Sequence, residues 1–200
     1  HEHAREIVGD SCDAELCMNP LGKLTFYLRD YDNNLFQILE SDQWFTNHGH
    51  PSGGIMGCSI GVSSIDESLK LYSEILGYDK VLYDGEGTFE DWAHLPGGTE
   101  RYRRIVLAQT SPNTGGFAAL MGETNIELIQ ALDRKGRFIF DERIWADIGI
   151  AHLGFDVRGM NELGKVLDEK GFSFRCDTND ALSMGDHTSV HCTYIDDPDE

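Results

Sequence analysis

Apolar positions along this chain follow two periods, a strand period of two and a helix period near 3.6. A strand pattern at 57–62 leads into a helix pattern that opens with the capping-box spacing of Ser64 and Glu67 and ends at Gly77. The apolar face of this helix comprises Ile65, Leu69, Tyr72 and Leu76. The pattern predicts an amphipathic helix that packs one face against a sheet.

The same strand–helix order returns later in the chain. A strand pattern at 152–157 precedes a second helix pattern that closes at Gly171. The apolar positions of this second helix are Met160, Leu163 and Leu167. The chain therefore contains an internal repeat, which constrains the fold more strongly than any single motif.

A second repeated unit is a strand, a tight acidic turn and another strand, at 24–40. The Asp and Asn residues of the turn 30–34 can bond their own backbone. The last residues of the chain match the first half of this unit, with Tyr194 in the place of Tyr27. The closing strand recurs at 125–130, where Glu127 takes the place that Gln37 holds in the first copy.

These repeats divide the chain into pieces of one βαβββ unit. Residues 1–46 are predicted to be the C-terminal part of a preceding unit, followed by a polar, glycine-rich linker at 47–54. Residues 55–131 are predicted to form a complete βαβββ unit, and residues 132–147 a connection. We expect residues 148–200 to be a second unit of the same domain, truncated before its last strand.

Charge narrows the classes of partner. The chain has 35 acidic and 16 basic residues, a formal net charge of -19, which repels phosphate backbones and anionic lipid surfaces. No apolar run approaches the roughly 20 residues of a membrane-spanning helix, and no phosphate-binding or dinucleotide fingerprint is present. We therefore expect a cytoplasmic protein with a small-molecule ligand, without nucleic acid, membrane or nucleotide cofactor.

The repeats resemble those of the vicinal-oxygen-chelate superfamily, which includes glyoxalases, bleomycin resistance proteins and extradiol dioxygenases. The matching phrases are 60–65 with 76–78, the turn and strand 30–37, and 194–199. This resemblance implies an α+β fold in which repeated βαβββ modules form cupped, half-barrel mixed sheets with helices on the convex face. It also implies a pocket, a divalent metal such as Fe, Zn, Mn or Ni, and pairing of half-barrels in cis or in a homodimer.

Carried over residue by residue, the resemblance gives an incomplete metal site. The ligand on the first strand of a unit is usually a histidine; His152 holds that place in the last unit, whereas Gly57 holds it in the middle one. The ligand on the last strand is usually a glutamate, which Glu127 supplies in the middle unit and Gln37 replaces in the first. The equivalent residue of the final unit is expected beyond Glu200.

Each candidate has an ordinary structural interpretation as well. His152 could be a structural strand histidine, and Glu127 alternates with apolar neighbours as a solvent-facing strand residue does. His191 could line the same pocket as His152, or could simply pair with a neighbour. His48 and His50 lie in the linker and are expected to be solvated.

Two functions follow from these observations. One is a metal-dependent enzyme of the glyoxalase or extradiol dioxygenase type, using His152, Glu127 and a glutamate beyond Glu200 to hold an open-sided cation. The other is a metal-free protein of the bleomycin-resistance type that binds or sequesters its ligand. Gly57 and Gln37 favour the second, and His152 favours the first. The sequence favours the enzyme by a small margin.

Overall fold

The structure is a computed structural model, and it describes residues 15–42, 49–50, 53–111, 114, 123–144, 147–179, 182–183, 185 and 189–199. The strands are β1 Cys17–Met18, β2 Leu24–Arg29, β3 Leu35–Leu39, β4 Gly57–Gly61, β5 Lys80–Gly87, β6 Tyr102–Ala108, β7 Asn125–Ala131, β8 Phe174–Asp177, β9 Leu182–Ser183, β10 Ser189–Val190 and β11 Thr193–Ile195. The helices are α1 Ile65–Tyr72 and α2 Met160–Glu169, with a 3-10 helix at Glu90–Trp92. The helix tail predicted within 1–14 and His48 lie outside the described residues.

A four-stranded mixed sheet forms the centre of the protein. Its strand order is β4-β7-β6-β5, in which β4 runs parallel to β7 and the other neighbours are antiparallel. The parallel pair joins the first and last strands of the βαβββ unit, with α1 between β4 and β5 along the chain. The predicted α+β fold with a cupped, glyoxalase-like sheet is confirmed.

The first helix begins where the sequence predicts and ends earlier. The Ser64 hydroxyl caps it by accepting a hydrogen bond from the backbone N–H of Glu67 at 3.3 Å. Regular helix stops at Tyr72 because the next turns are wider: for example, the N–H of Leu76 bonds to the carbonyl five residues before it. Gly77, at a φ of 79°, then reverses the chain as expected.

One face of the sheet packs against the helices. Alternate residues of β6 and β7 point to this side and meet the apolar face of α1. The buried residues of this core are Val62, Ile65, Leu71, Tyr72, Tyr78, Ile105, Leu107, Ile126, Leu128 and Leu167. Each large apolar side chain that is fully buried contributes about 1.5–3 kcal/mol, so this face is the main source of stability.

The opposite face of the same sheet, which we call the concave face, is covered by the N-terminal hairpin and by the 3-10 helix. Tyr27 of β2 packs there in a cluster with Phe89, Trp92 and Tyr102. The hairpin turn is held by Asp30, whose carboxylate accepts backbone hydrogen bonds from Asp32 and Asn34 at 3.0 and 2.8 Å. The strand–turn–strand unit predicted at 24–40 is thereby confirmed.

The third unit is only partly as predicted. Helix α2 ends at Glu169, and Gly171, with a φ of 85°, reverses the chain after it, as predicted. Leu167 is fully buried in the helical core. The strand predicted at 152–157 is wrong, because residues 152–157 have no regular secondary structure. A strand needs a neighbour for its backbone hydrogen bonds, and no strand pairs with this segment in the described part of the chain. Strand β8 instead pairs with β11.

In the residues that the structure describes, no helix combines the length and the apolar character that a membrane crossing requires.

Gly57 at the start of β4 provides a test of this packing. Its φ is positive, and an added Cβ would overlap the backbone carbonyl of Asn125. We expect Gly57→Ala to lower the free energy of unfolding by at least about 1–3 kcal/mol through backbone strain. The matched control is Gly61→Ala at the other end of β4, where a Cβ meets nothing within 4 Å. Urea unfolding of both variants measures the difference; equal midpoints would contradict the geometry.

Asp197 provides a pH-dependent test. Its carboxylate accepts a hydrogen bond from the Tyr72 hydroxyl at 3.2 Å, and its burial raises the pKa of this carboxyl above the usual value. The folded protein therefore binds the proton more tightly, and the resulting stability is lost as pH rises through the folded-state pKa. We expect Asp197→Asn to raise the melting temperature at pH 7 but not below about pH 3.9. Thermal melts across this pH range measure the difference in melting temperature between Asp197→Asn and wild type, and the exposed Asp168→Asn serves as control. A difference that does not change with pH would refute the prediction.

Candidate functional site

A charged cluster lies at the centre of the concave face. Glu127 of β7 is paired in register with Ser59 of β4 on one side and with Val106 of β6 on the other. Arg104 lies two residues before Val106 and therefore points to the same face as Glu127. The sheet register thus brings together three polar side chains from three adjacent strands.

Arg104 is the centre of this cluster and is 1% exposed. Its Nε donates to one oxygen of Glu127, and its Nη1 lies 2.9 and 2.8 Å from the two carboxylate oxygens of Asp91 in the 3-10 helix. The guanidinium also lies over the Trp92 ring, 4.0 Å from its centroid, and over the Phe89 ring at 5.1 Å. Charge-assisted hydrogen bonds and cation–π contacts therefore hold it on several sides.

Both oxygens of the Glu127 carboxylate are engaged. One accepts from Arg104, and the other accepts from the Ser59 hydroxyl at 2.5 Å. Glu127 itself is 8% exposed, whereas Ser59 on β4 is solvent-exposed. The cluster is therefore closed over Arg104 and Asp91 and reaches solvent at its β4 end.

The cluster carries a surplus of negative charge, because one guanidinium faces two carboxylates. Burial, and after it the charge of Glu127, raises the pKa of the Cys58 thiol to about 11. Burial, and after it Asp91, also raises the pKa of Tyr27, whose hydroxyl accepts a hydrogen bond from Trp92 Nε1 at 2.9 Å. Both groups are therefore neutral at physiological pH, and neither adds to the surplus.

The other predicted site residues lie in different places. Gln37 is paired in register with Tyr27, so both side chains leave the same face of the hairpin, and Gln37 is half-buried. His191 is paired with Asp177, with Nε2 2.5 Å from a carboxylate oxygen, and packs edge-on against Phe174. His152 is exposed and packs against Tyr194, with ring centroids 6.0 Å apart.

These residues do not fit a metal centre at Glu127. Gly57, at the usual first-strand ligand position, has no side chain, and its backbone leaves no room for one. The Glu127 carboxylate already binds a cation within the chain, Arg104. Among the described residues, no group of three or more His, Cys, Asp or Glu side chains could hold a metal ion. Ligation by His152 or Glu127 stays a sequence-based prediction.

Sequence reasoning identified Glu127 but missed Arg104, Asp91 and Ser59. The available signal was the pair Arg103–Arg104 inside an otherwise apolar strand. Because strand side chains alternate, one of two adjacent arginines must face each side of the sheet, and an arginine facing the interior requires a carboxylate partner. The sequence does not indicate which carboxylate that is.

Comparison with known proteins supports the family. Residues 58–185 match the profile of the glyoxalase/bleomycin resistance protein/dioxygenase superfamily, which is more than half of the chain. Curated proteins and solved structures gave no significant match. The matched range contains the central sheet apart from Gly57, both helices α1 and α2, and the cluster around Arg104. The chain therefore belongs to the glyoxalase/bleomycin resistance protein/dioxygenase superfamily.

Proposed function

We propose that this protein binds a small organic molecule on the concave face without using a metal ion at Glu127. It thereby corresponds to the metal-free, bleomycin-resistance type of the superfamily. The observation that carries the proposal is the state of the Glu127 carboxylate, which is bound by Arg104 and Ser59. A carboxylate that ligates a metal needs a free lone pair directed at an open position, whereas both oxygens of Glu127 are already bonded within the chain.

The proposed binding region is the β4 end of the concave face. Ser59 offers an exposed hydroxyl there, and Gly57 and Gly61, two residues before and after it on β4, place no side chain on this face. A flat backbone floor beside a few polar groups suits a small ligand that makes apolar contact and one or two hydrogen bonds. The net charge of -19 and the surplus carboxylate favour a cationic or neutral ligand over an anionic one.

A metal-dependent enzyme of the glyoxalase or extradiol dioxygenase type is the competing proposal. The observation that favours it is the solvent exposure of His152, a residue type that commonly ligates metals. A catalytic metal site has about three protein ligands, so this proposal requires further ligands in addition to His152.

Metal analysis of the full chain, purified without chelator, separates the two proposals. We expect far less than one equivalent of Fe, Zn, Mn or Ni per chain, with the same content in Glu127→Gln and His152→Ala. Mass spectrometry of acid-digested protein gives the content. About one equivalent in the wild type that is lost in either variant would overturn metal-independent binding and establish that residue as a ligand.

A pair of probes of opposite charge tests the proposed ligand class. We expect benzylammonium to bind more tightly than benzoate, and Glu127→Gln to weaken benzylammonium binding by about fivefold to tenfold, which corresponds to about 1 kcal/mol of charge interaction. Titration calorimetry measures both probes. The control is Glu169→Gln on the exposed surface of α2, which makes the same change in net charge at another place. Equal weakening in the two variants, or tighter binding of benzoate, would contradict a cation-preferring site at Glu127.

A further inference from the structure

We infer that Arg104 is a built-in counter-ion: its guanidinium takes the place of an external cation between Asp91 and Glu127 and excludes divalent metals from the concave face. This inference rests on the proposed metal-independent function and names the residue that determines it. It assigns Arg104 a specificity-determining role, because the two carboxylates could otherwise serve as ligands.

The contacts of the two carboxylates support this role. Asp91 belongs to the 3-10 helix and Glu127 to β7, so they come from separate elements and converge on one group. Every ion pair that either carboxylate makes within the described chain is with Arg104. The Ser59 hydroxyl donates to the other oxygen of Glu127 and so holds this carboxylate in place. Three carboxylate oxygens, two from Asp91 and one from Glu127, are directed at the guanidinium of Arg104, which is the kind of surrounding that a hard divalent ion also uses.

Burial makes the arrangement persistent. The side chains of Arg104 and Asp91 are 1% and 2% exposed, so separating them would leave charges unpaired away from water. The contact with the Trp92 ring at 4.0 Å restrains the guanidinium from above. A divalent cation could enter only by displacing a group that is covalently attached to the sheet and held by packing. Wild-type protein is therefore expected to resist metal loading even at high metal concentration.

The neighbouring residue Arg103 is a natural control. It lies on the same strand, points to the opposite face, and also binds two carboxylates, Asp66 at 2.8 Å and Asp84 at 3.0 Å. Those carboxylates are 77% and 40% exposed, so water solvates their charges when the arginine is removed. Truncating Arg103 removes the same charge from the same strand without opening a buried site.

The experiment compares Arg104→Ala with Arg103→Ala and wild type in the full chain. We expect Arg104→Ala to lose thermal stability and to regain part of it with methylguanidinium or Mn²⁺ at about 10 mM, because a ligand that binds only the folded state stabilises it by mass action. Electron paramagnetic resonance measures Mn²⁺ binding directly. We expect about one Mn²⁺ in Arg104→Ala and none in wild type, in Arg103→Ala, or in Arg104→Lys, which retains an internal cation.

If Arg104→Ala does not fold alone, it is refolded in the presence of methylguanidinium or Mn²⁺. Tetramethylammonium is the negative control, because it is too bulky and donates no hydrogen bonds to replace the guanidinium. Recovery of folding with methylguanidinium and Mn²⁺, but not with tetramethylammonium, supports the inference. Failure of every cation to bind or stabilise Arg104→Ala, or equal effects on Arg103→Ala, overturns it while leaving a metal-free wild type and hence the proposed function intact. Stoichiometric metal in the wild type would overturn the proposed function as well.

Discussion

The buried guanidinium of Arg104 is the interaction on which the concave face depends. It joins β6 to β7 through Glu127 and joins the sheet to the 3-10 helix through Asp91. The position of that helix in turn places Trp92, which hydrogen-bonds to Tyr27 of the N-terminal hairpin. One arginine side chain therefore links three parts of the chain that are distant in sequence. A buried ion pair of this kind fixes an arrangement more than it adds net stability, because desolvation offsets much of the attraction.

The two faces of the central sheet differ in composition: one provides the hydrophobic core and the other carries the charged cluster. The helical face buries an apolar core, and residues of this core such as Ile105 and Leu128 stabilise the fold. The concave face carries charges and aromatic rings in the alternate positions of the same strands. Because successive side chains point to opposite faces, a strand can change its chemistry on one side without disturbing the core on the other. This separation is what allows one superfamily fold to carry different sites.

Glu127, which the sequence predicts to be a metal ligand, lies in an environment that does not suit a ligand. Glu127 stands where a metal ligand is expected, and Gly57, two residues before the register partner of Glu127 on β4, cannot provide the second. The structure places Arg104 against the carboxylate instead. A glutamate at the expected strand position is therefore insufficient to assign a metal site, because the residue that occupies its carboxylate lies on another strand.

The sequence by itself determined the order of strands and helix in the unit 55–131, the hairpin at 24–40, the cap at Ser64 and the reversal at Gly77, because periodicity, capping and left-handed turns depend on residues a few positions apart. The tertiary structure decided what depends on distant partners. It ended regular α1 at Tyr72, left 152–157 without a strand, and paired Glu127 with Arg104, 23 residues away along the chain. That pairing follows from strand register and burial, which no local pattern encodes.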